Sequence, residues 1–323
     1  MNARTLLIAC LAALPALLGA CTTNPTTGRS QLALLSREDE IKMGREYGPQ
    51  FTQESGGEVK DPRLQAYVSE IGNKLVQHVV EEDKALPWKF TLLDSDVINA
   101  FALPGGQVFM SRGLASKMTN EAQLAGVLGH EIGHVTARHI NEQMGRQRVA
   151  SGGSLLAALV LGEDLGGLAQ QGAGLVLLKY GRDQESEADA LGMRYMVQEN
   201  YNPIAQRQVM EILQGAMSGA DRPGEFFSTH PYPETRIDRI NNALAGDLAY
   251  TQNNPQFQLH EERFRQRFLS LLAALPPAPD ARHALASSNL PHGNLSADSG
   301  SSSSISLGVW RPEPIWCGLC REH

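Results

Sequence analysis

The chain has 323 residues, 42% of them hydrophobic and 20% charged, a globular composition with room for one large domain or two small ones. Its net charge of −7 at pH 7 argues against a nucleic-acid binder, which would carry a basic excess. A run of about eighteen apolar residues, the mark of a spanning helix, is missing.

At the N-terminus a single cation, Arg4, precedes an apolar run over residues 6–18. This is the pattern of a secretory signal, too short for a span. It ends Leu18-Gly19-Ala20-Cys21, which resembles a bacterial lipoprotein box. In that reading residues 1–20 are removed and Cys21 is lipidated; the competing reading is an ordinary signal with a chance cysteine. By resemblance to enterobacterial lipoproteins, Thr22 in place of Asp favours the outer membrane.

Residues 24–36 are polar and read as a tether. Ser36 with Asp39 forms a capping-box pattern that starts a first helix. Asp61-Pro62 starts a second, with Leu64, Tyr67, Val68, Ile71, Leu75 and Val79 at helical spacing as core positions. His78 on that helix reads as structural. Residues 88–93 and 97–103 read as strands, Pro104-Gly105-Gly106 as a turn, and 107–111 as a returning strand. The result is a small antiparallel hairpin, either purely structural or offering an edge for an extended peptide.

Next comes Gly129-His130-Glu131-Ile132-Gly133-His134, an H-E-x-x-H pentad. Leu124, Val127, Leu128 and Val135 give its flanks a helical period, and Asn120 is a plausible N-cap. Helical residues four apart share a face, so His130 and His134 can reach one cation together. Imidazole suits zinc, and a catalytic zinc takes three protein ligands and keeps one open position. Glu131 projects about 100° round the helix from His130, where it can address a water whose pKa zinc lowers to about 7. The same pentad on a solvated helix would bind nothing, so the reading requires a third ligand. His139 lies nine residues after His130, on the opposite side of a continuous helix, and is read as no ligand.

Residues 149–178 are rich in Gly, Ala and Leu and suggest two closely packed short helices, with a membrane-associated hairpin as the alternative. Then Arg182-Asp183-Gln184-Glu185-Ser186-Glu187-Ala188-Asp189 forms an acidic helix. Glu185 and Asp189 share one face. This helix is the best place for an anionic ligand, against the alternative of a solvated acidic face.

Taken together, the pentad and the acidic helix resemble the zinc metallopeptidases of peptidase family forty-eight, the gluzincin group of the HtpX, BepA and Oma types. That family pairs H-E-x-x-H with a later E-x-x-x-D, which Glu185-Ser186-Glu187-Ala188-Asp189 matches. The resemblance implies His130, His134 and Glu185, rather than Glu187, as the ligands of one Zn2+ per chain. It implies Asp189 as the group that orients a ligand histidine. It takes in Asn24-Pro25, Thr27-Gly28-Arg29, the stretch 99–106 and His230-Pro231, roughly residues 24–245. It is closer to the soluble periplasmic lipoprotein branch, BepA- and LoiP-like, than to the multi-span branch.

Pro203 starts a further helix, and His230-Pro231-Tyr232-Pro233 reads as a rigid loop before a helix over 234–244. In some related proteases such a His-Pro loop lies near the active site. His230 and Arg236 are therefore candidate catalytic residues. His230 could serve as a latch on zinc or an oxyanion donor, and Arg236 as an oxyanion partner or a brace for the loop. A structural loop is the alternative. Residues 257–275 could form one helix. From Pro276 onward Pro, Ser, Gly and Asn dominate and predict disorder. No 34-residue repeat is present. Cys317 and Cys320 suggest a local disulfide in an oxidising compartment, or a weak metal or redox site.

The expected fold is α+β and mostly helical, a gluzincin domain with a small antiparallel sheet beside the H-E-x-x-H helix. The expected divisions are a signal peptide (1–20), tether and first helix (21–60), zinc metallopeptidase domain (61–250), and a partly helical, then disordered tail (251–323). The expected activity is a zinc endopeptidase, lipid-anchored in the periplasm to the outer membrane through Cys21. By resemblance, its substrates would be unfolded or mis-assembled envelope proteins and its partner the outer-membrane assembly machinery; no nucleic acid is expected. The rival is a non-catalytic chaperone or assembly factor using the same cleft.

Overall fold

The computed structural model describes residues 21–150, 179–218, 226–231 and 233–279. The expected signal peptide, residues 151–178 of the small-residue segment, and Cys317 and Cys320 lie outside these. The described residues are mostly helical with two small sheets, as expected for the α+β class.

An N-terminal hairpin pairs β1 (Cys21–Thr23) with β2 (Ser30–Leu32). Residues 24–36, expected as a tether, are instead packed on the helical body. Asn24 donates from Nδ2 to the Thr136 carbonyl at 3.0 Å, and the Leu34 and Leu35 amides donate to Asn141 Oδ1. Polar composition suggested a solvated strand of chain, but these polar groups find buried partners rather than water.

Helix α1 (Arg37–Glu54) begins with the capping box of Ser36 and Asp39. Helix α2 (Pro62–Val76) begins with Asp61 accepting from the Arg63 amide. Each cap satisfies a backbone donor that would otherwise be orphaned. After the short α3 (Glu81–Lys84) come β3 (Lys89–Leu93), β4 (Ala100–Leu103) and β5 (Gln107–Ser111). The β4–β5 hairpin is antiparallel, as expected from its Pro-Gly-Gly turn. β3 joins β5 in parallel, so this sheet is mixed, in the order β3-β5-β4. A hairpin turn reverses the chain between β4 and β5, whereas residues 94–99 return it so that β3 and β5 run together.

The short α4 (Arg112–Ala115) leads to α5 (Glu121–Thr136), capped by Asn120 accepting from the Gln123 amide at 3.0 Å. Every residue of α5 is buried, so it is a central helix rather than an amphipathic surface one. Around it stand α2, the three-stranded sheet, α7 (Arg182–Gln198) and α8 (Ile204–Ser218). α5 ends at Ala137 and Arg138; Arg138 takes a left-handed φ of 58°, and α6 (His139–Ala150) starts in a new direction. α9 (Phe226–Thr229) and α10 (Pro233–Ala245) follow.

The last helical stretch is α11 (Glu261–Phe264), a π-helical turn (Arg265–Leu269) and α12 (Ser270–Ala273). Phe264, Phe268 and Leu272 repeat at helical spacing and join the main core, with both Phe rings against Tyr67. The boundary expected near residue 250 is therefore not a packing boundary. Each such side chain contributes about 1.5–3 kcal/mol on full burial, which favours docking this segment over leaving it as a tail.

Candidate active site

The site forms where α5 and α7 touch. Gly192 of α7 lies so near that a Cβ there would fall 2.9 Å from the His130 backbone nitrogen, and one on Gly133 would meet the Ala188 carbonyl at 2.9 Å. No larger residue fits at either point. This contact sets the Glu185–Asp189 face of α7 against the His130–His134 face of α5.

His130 Nε2 and His134 Nε2 lie 3.0 Å apart, and the Glu185 carboxylate approaches both, at 3.6 and 3.5 Å. His230, on the loop after α9, enters the same space. Its Nδ1 stands 3.1 Å from Glu185 Oε1 and 3.2 Å from His130 Nε2. Among the described residues, His130, His134, Glu185 and His230 form the one group able to hold a metal ion, with their ligand atoms within 4.8 Å of one another.

Each helix histidine is held from behind. His130 Nδ1 is 2.9 Å from Asp189 Oδ1. Asp189 in turn accepts from Arg236 Nε and Nη2, at 2.7 and 2.6 Å, and from Gln206 Nε2 at 2.9 Å. Arg236 also pairs with Glu185 Oε2 at 2.7 Å. On the other side His134 Nδ1 faces His139 Nδ1 at 2.8 Å, and His139 Nε2 faces Glu187 Oε2 at 3.0 Å. Tyr180 stacks on the His134 ring with centroids 3.8 Å apart.

Glu131 differs from its neighbours. It is wholly buried, and neither carboxylate oxygen has a hydrogen-bond partner among the described residues. His230 Nε2, also without a partner, is 3.7 Å away. Burial pushes the Glu131 carboxyl up, with His230 and His130 only partly opposing it. At Glu185 burial also pushes upward, but Arg236, His230 and His134 outweigh it and hold that carboxyl well below the usual range. Asp189 is brought to about 2, burial being overcome by Arg236 and His130. Burial pushes the His134 imidazole well down. The resulting set is an ionised carboxylate and imidazole nitrogens converging on one point, beside a carboxyl that has no hydrogen-bond partner among the described residues. That donor chemistry fits a zinc ion and a water molecule.

A model of Peptidase family M48 matches residues 62–244. The chain belongs to that family. The beta-barrel assembly-enhancing protease of Escherichia coli strain K12 is 32% identical over 262 residues, covering 77% of this chain and 53% of the relative. That of Yersinia pestis is 33% identical over 233 residues, 68% of this chain and 46% of the relative. The mitochondrial metalloendopeptidase OMA1 of Schizosaccharomyces pombe is 34% identical over 181 residues, 55% of this chain and 52% of that one. The chain spans about half the length of these relatives.

The structure gathers His130, Glu131, His134, Glu185, Asp189, His230 and Arg236 into one buried site. Arg236, expected either at an oxyanion or as a brace, lies against Glu185 and Asp189. Sequence reasoning missed four neighbours. His139 was set aside by an angular argument that holds only for an unbroken helix; the turn at Arg138 brings it onto His134 instead. Glu187 is set aside as a metal ligand by the family pattern, which points to Glu185; in the structure it reaches His139. Gln206 and Tyr180 carry no sequence signal of their own.

Proposed function

We propose that this M48 member is a zinc-dependent endopeptidase of the bacterial cell envelope. The observation that carries the reading is Glu131, a buried carboxyl with no hydrogen-bond partner among the described residues, beside the cluster of His130, His134, Glu185 and His230. A protein that merely held metal or unfolded clients would gain nothing from that group, since burying it unpaired is costly. In this reading His130, His134 and Glu185 hold the ion, and Asp189 with Arg236 fixes His130 and Glu185. When bound, zinc supplies Lewis acidity that activates water at neutral pH and polarises the scissile carbonyl. Glu131 takes the proton of the attacking water and passes it to the leaving amine; its upward-shifted carboxyl suits both transfers. β4 is an edge strand of its sheet, and Ala102, Leu103 and Pro104 line a small pocket with His134 and Tyr180.

His230 supports a second assignment within the same site. Its Nδ1 is close enough to Glu185 and His130 to take the open position on the metal and hold the enzyme latent. The substrates we infer are unfolded or mis-assembled envelope proteins, with the outer-membrane assembly machinery as partner, a reading supported by relatives named beta-barrel assembly-enhancing protease. Cys21 is the inferred lipid attachment point. The deciding experiment is zinc content measured with casein cleavage, wild type beside Glu131→Gln. A wild type that binds unfolded outer-membrane proteins and never cleaves them would favour the chaperone reading. Membrane fractionation of Cys21→Ser tests the anchor: the variant should be released.

A further inference from the structure

Behind His134 the hydrogen bonds run outward, away from the core, to the N-terminal hairpin. We propose that Arg29 is a positioning residue for His134, acting through Glu187 and His139; this rests on the cluster being a zinc site. An imidazole that binds metal through Nε2 carries its proton on Nδ1. In His134 that proton points at His139 Nδ1, 2.8 Å away, so His139 accepts there and keeps its own proton on Nε2. That second proton is donated to Glu187 Oε2 at 3.0 Å. Arg29 closes on the same carboxylate as a fork, donating from Nε to Oε1 at 2.9 Å and from Nη2 to Oε2 at 2.8 Å. Each bond fixes the direction of the one before it.

The alternative arrangement shows why the fork matters. His139 is fully buried. If Glu187 swung outward, the Nε2 proton would be stranded, and the other tautomer would set two N–H groups against each other at His134. Arg29 also reaches Glu142 Oε2 at 3.3 Å and so ties α6 to α7 across the turn that delivers His139. The hairpin itself is fastened to that turn. Asn24 of the hairpin donates to the Thr136 carbonyl, and from α1 Glu40 Oε1 accepts from Arg138 Nε at 2.9 Å and from Asn141 Nδ2 at 2.8 Å. The Arg29 side chain is 40% exposed, so replacing it empties no core space.

The test uses the full chain with zinc alone as probe, its affinity read by competition with a fluorescent chelator. Arg29→Met should weaken zinc binding by up to about 10-fold, the lower end of the range for groups that orient metal ligands and no more than loss of the Glu187 carboxylate it acts through. Arg29→Lys, which restores charge without the fork, should recover only part. In a His139→Phe background Arg29→Met should add nothing further, because the route is already cut. If His139→Phe does not fold, Glu187→Gln serves as the background under the same criterion. Wild-type affinity in Arg29→Met, or a loss of equal size in the cut background, overturns the proposal. A wild type that binds no zinc would overturn the zinc reading itself instead.

Discussion

The two helix histidines sit four residues apart on one helix yet are held by different means. His130 is backed directly by Asp189, itself clamped by Arg236 and Gln206, all deep in the core. His134 is backed by a second imidazole, then Glu187, then the half-exposed Arg29. The first support is short, ionic and shielded from solvent. The second is longer, crosses three elements and depends on the first twenty described residues. One histidine therefore belongs to the helical core, while the other is only as well placed as the N-terminal hairpin that closes over it.

The largest effect should come from a residue outside both supports. Glu131→Gln should cost at least about 100-fold in casein cleavage while zinc content stays at one per chain. Loss of zinc in that variant would mean that Glu131 belongs to the ligand set and that the division between supports and base is wrong. Next, Glu185→Ala should strip zinc, since Glu185 faces both histidines, whereas Glu187→Ala should weaken it only about 10-fold through His139. Equal losses, read by the same chelator competition, would erase the distinction between ligand and support.

His230 sharpens the comparison, because it approaches the His130 side alone at hydrogen-bonding distance. As a latch, its removal in His230→Ala should raise basal proteolysis several-fold. A fall in kcat of about 10²–10³ would make it an oxyanion donor instead. The smallest effect concerns the other end of α5. Glu121 accepts from Tyr201 Oη at 2.6 Å, from Arg263 Nε at 2.7 Å, and from Tyr67. Burial raises its carboxyl, but Arg263 and the two tyrosines outweigh this and leave it below its ordinary 4.5. A carboxyl with a lowered folded pKa stabilises above its unfolded value and loses that contribution as pH falls through the folded one. Glu121→Gln should therefore lose about 1–3 kcal/mol in urea unfolding at pH 7, with the gap to wild type narrowing below pH 4.5. Zinc affinity should not change, since Glu121 touches neither support.

Features governed by neighbours along the chain were legible from the residues alone. The caps at Ser36, Asp61 and Asn120, the helical face shared by His130 and His134, and the β4–β5 turn are all short-range matters of backbone geometry and hydrogen bonding. The family resemblance added Glu185 and Asp189, which spacing narrowed to one helix but could not by itself select over Glu187. Only the tertiary structure decided the rest. The parallel pairing of β3 with β5 depends on how residues 94–99 cross. The packing of residues 24–36 depends on partners more than a hundred positions away. His139 is outside the metal-capable group, as expected, but its contact with His134 was hidden because a single left-handed residue, Arg138, ends the helix on which its angle was reckoned. A periodicity argument assumes an unbroken axis; the bond from His139 to His134 exists because the axis breaks, and the contacts that hold the break come from the far end of the chain.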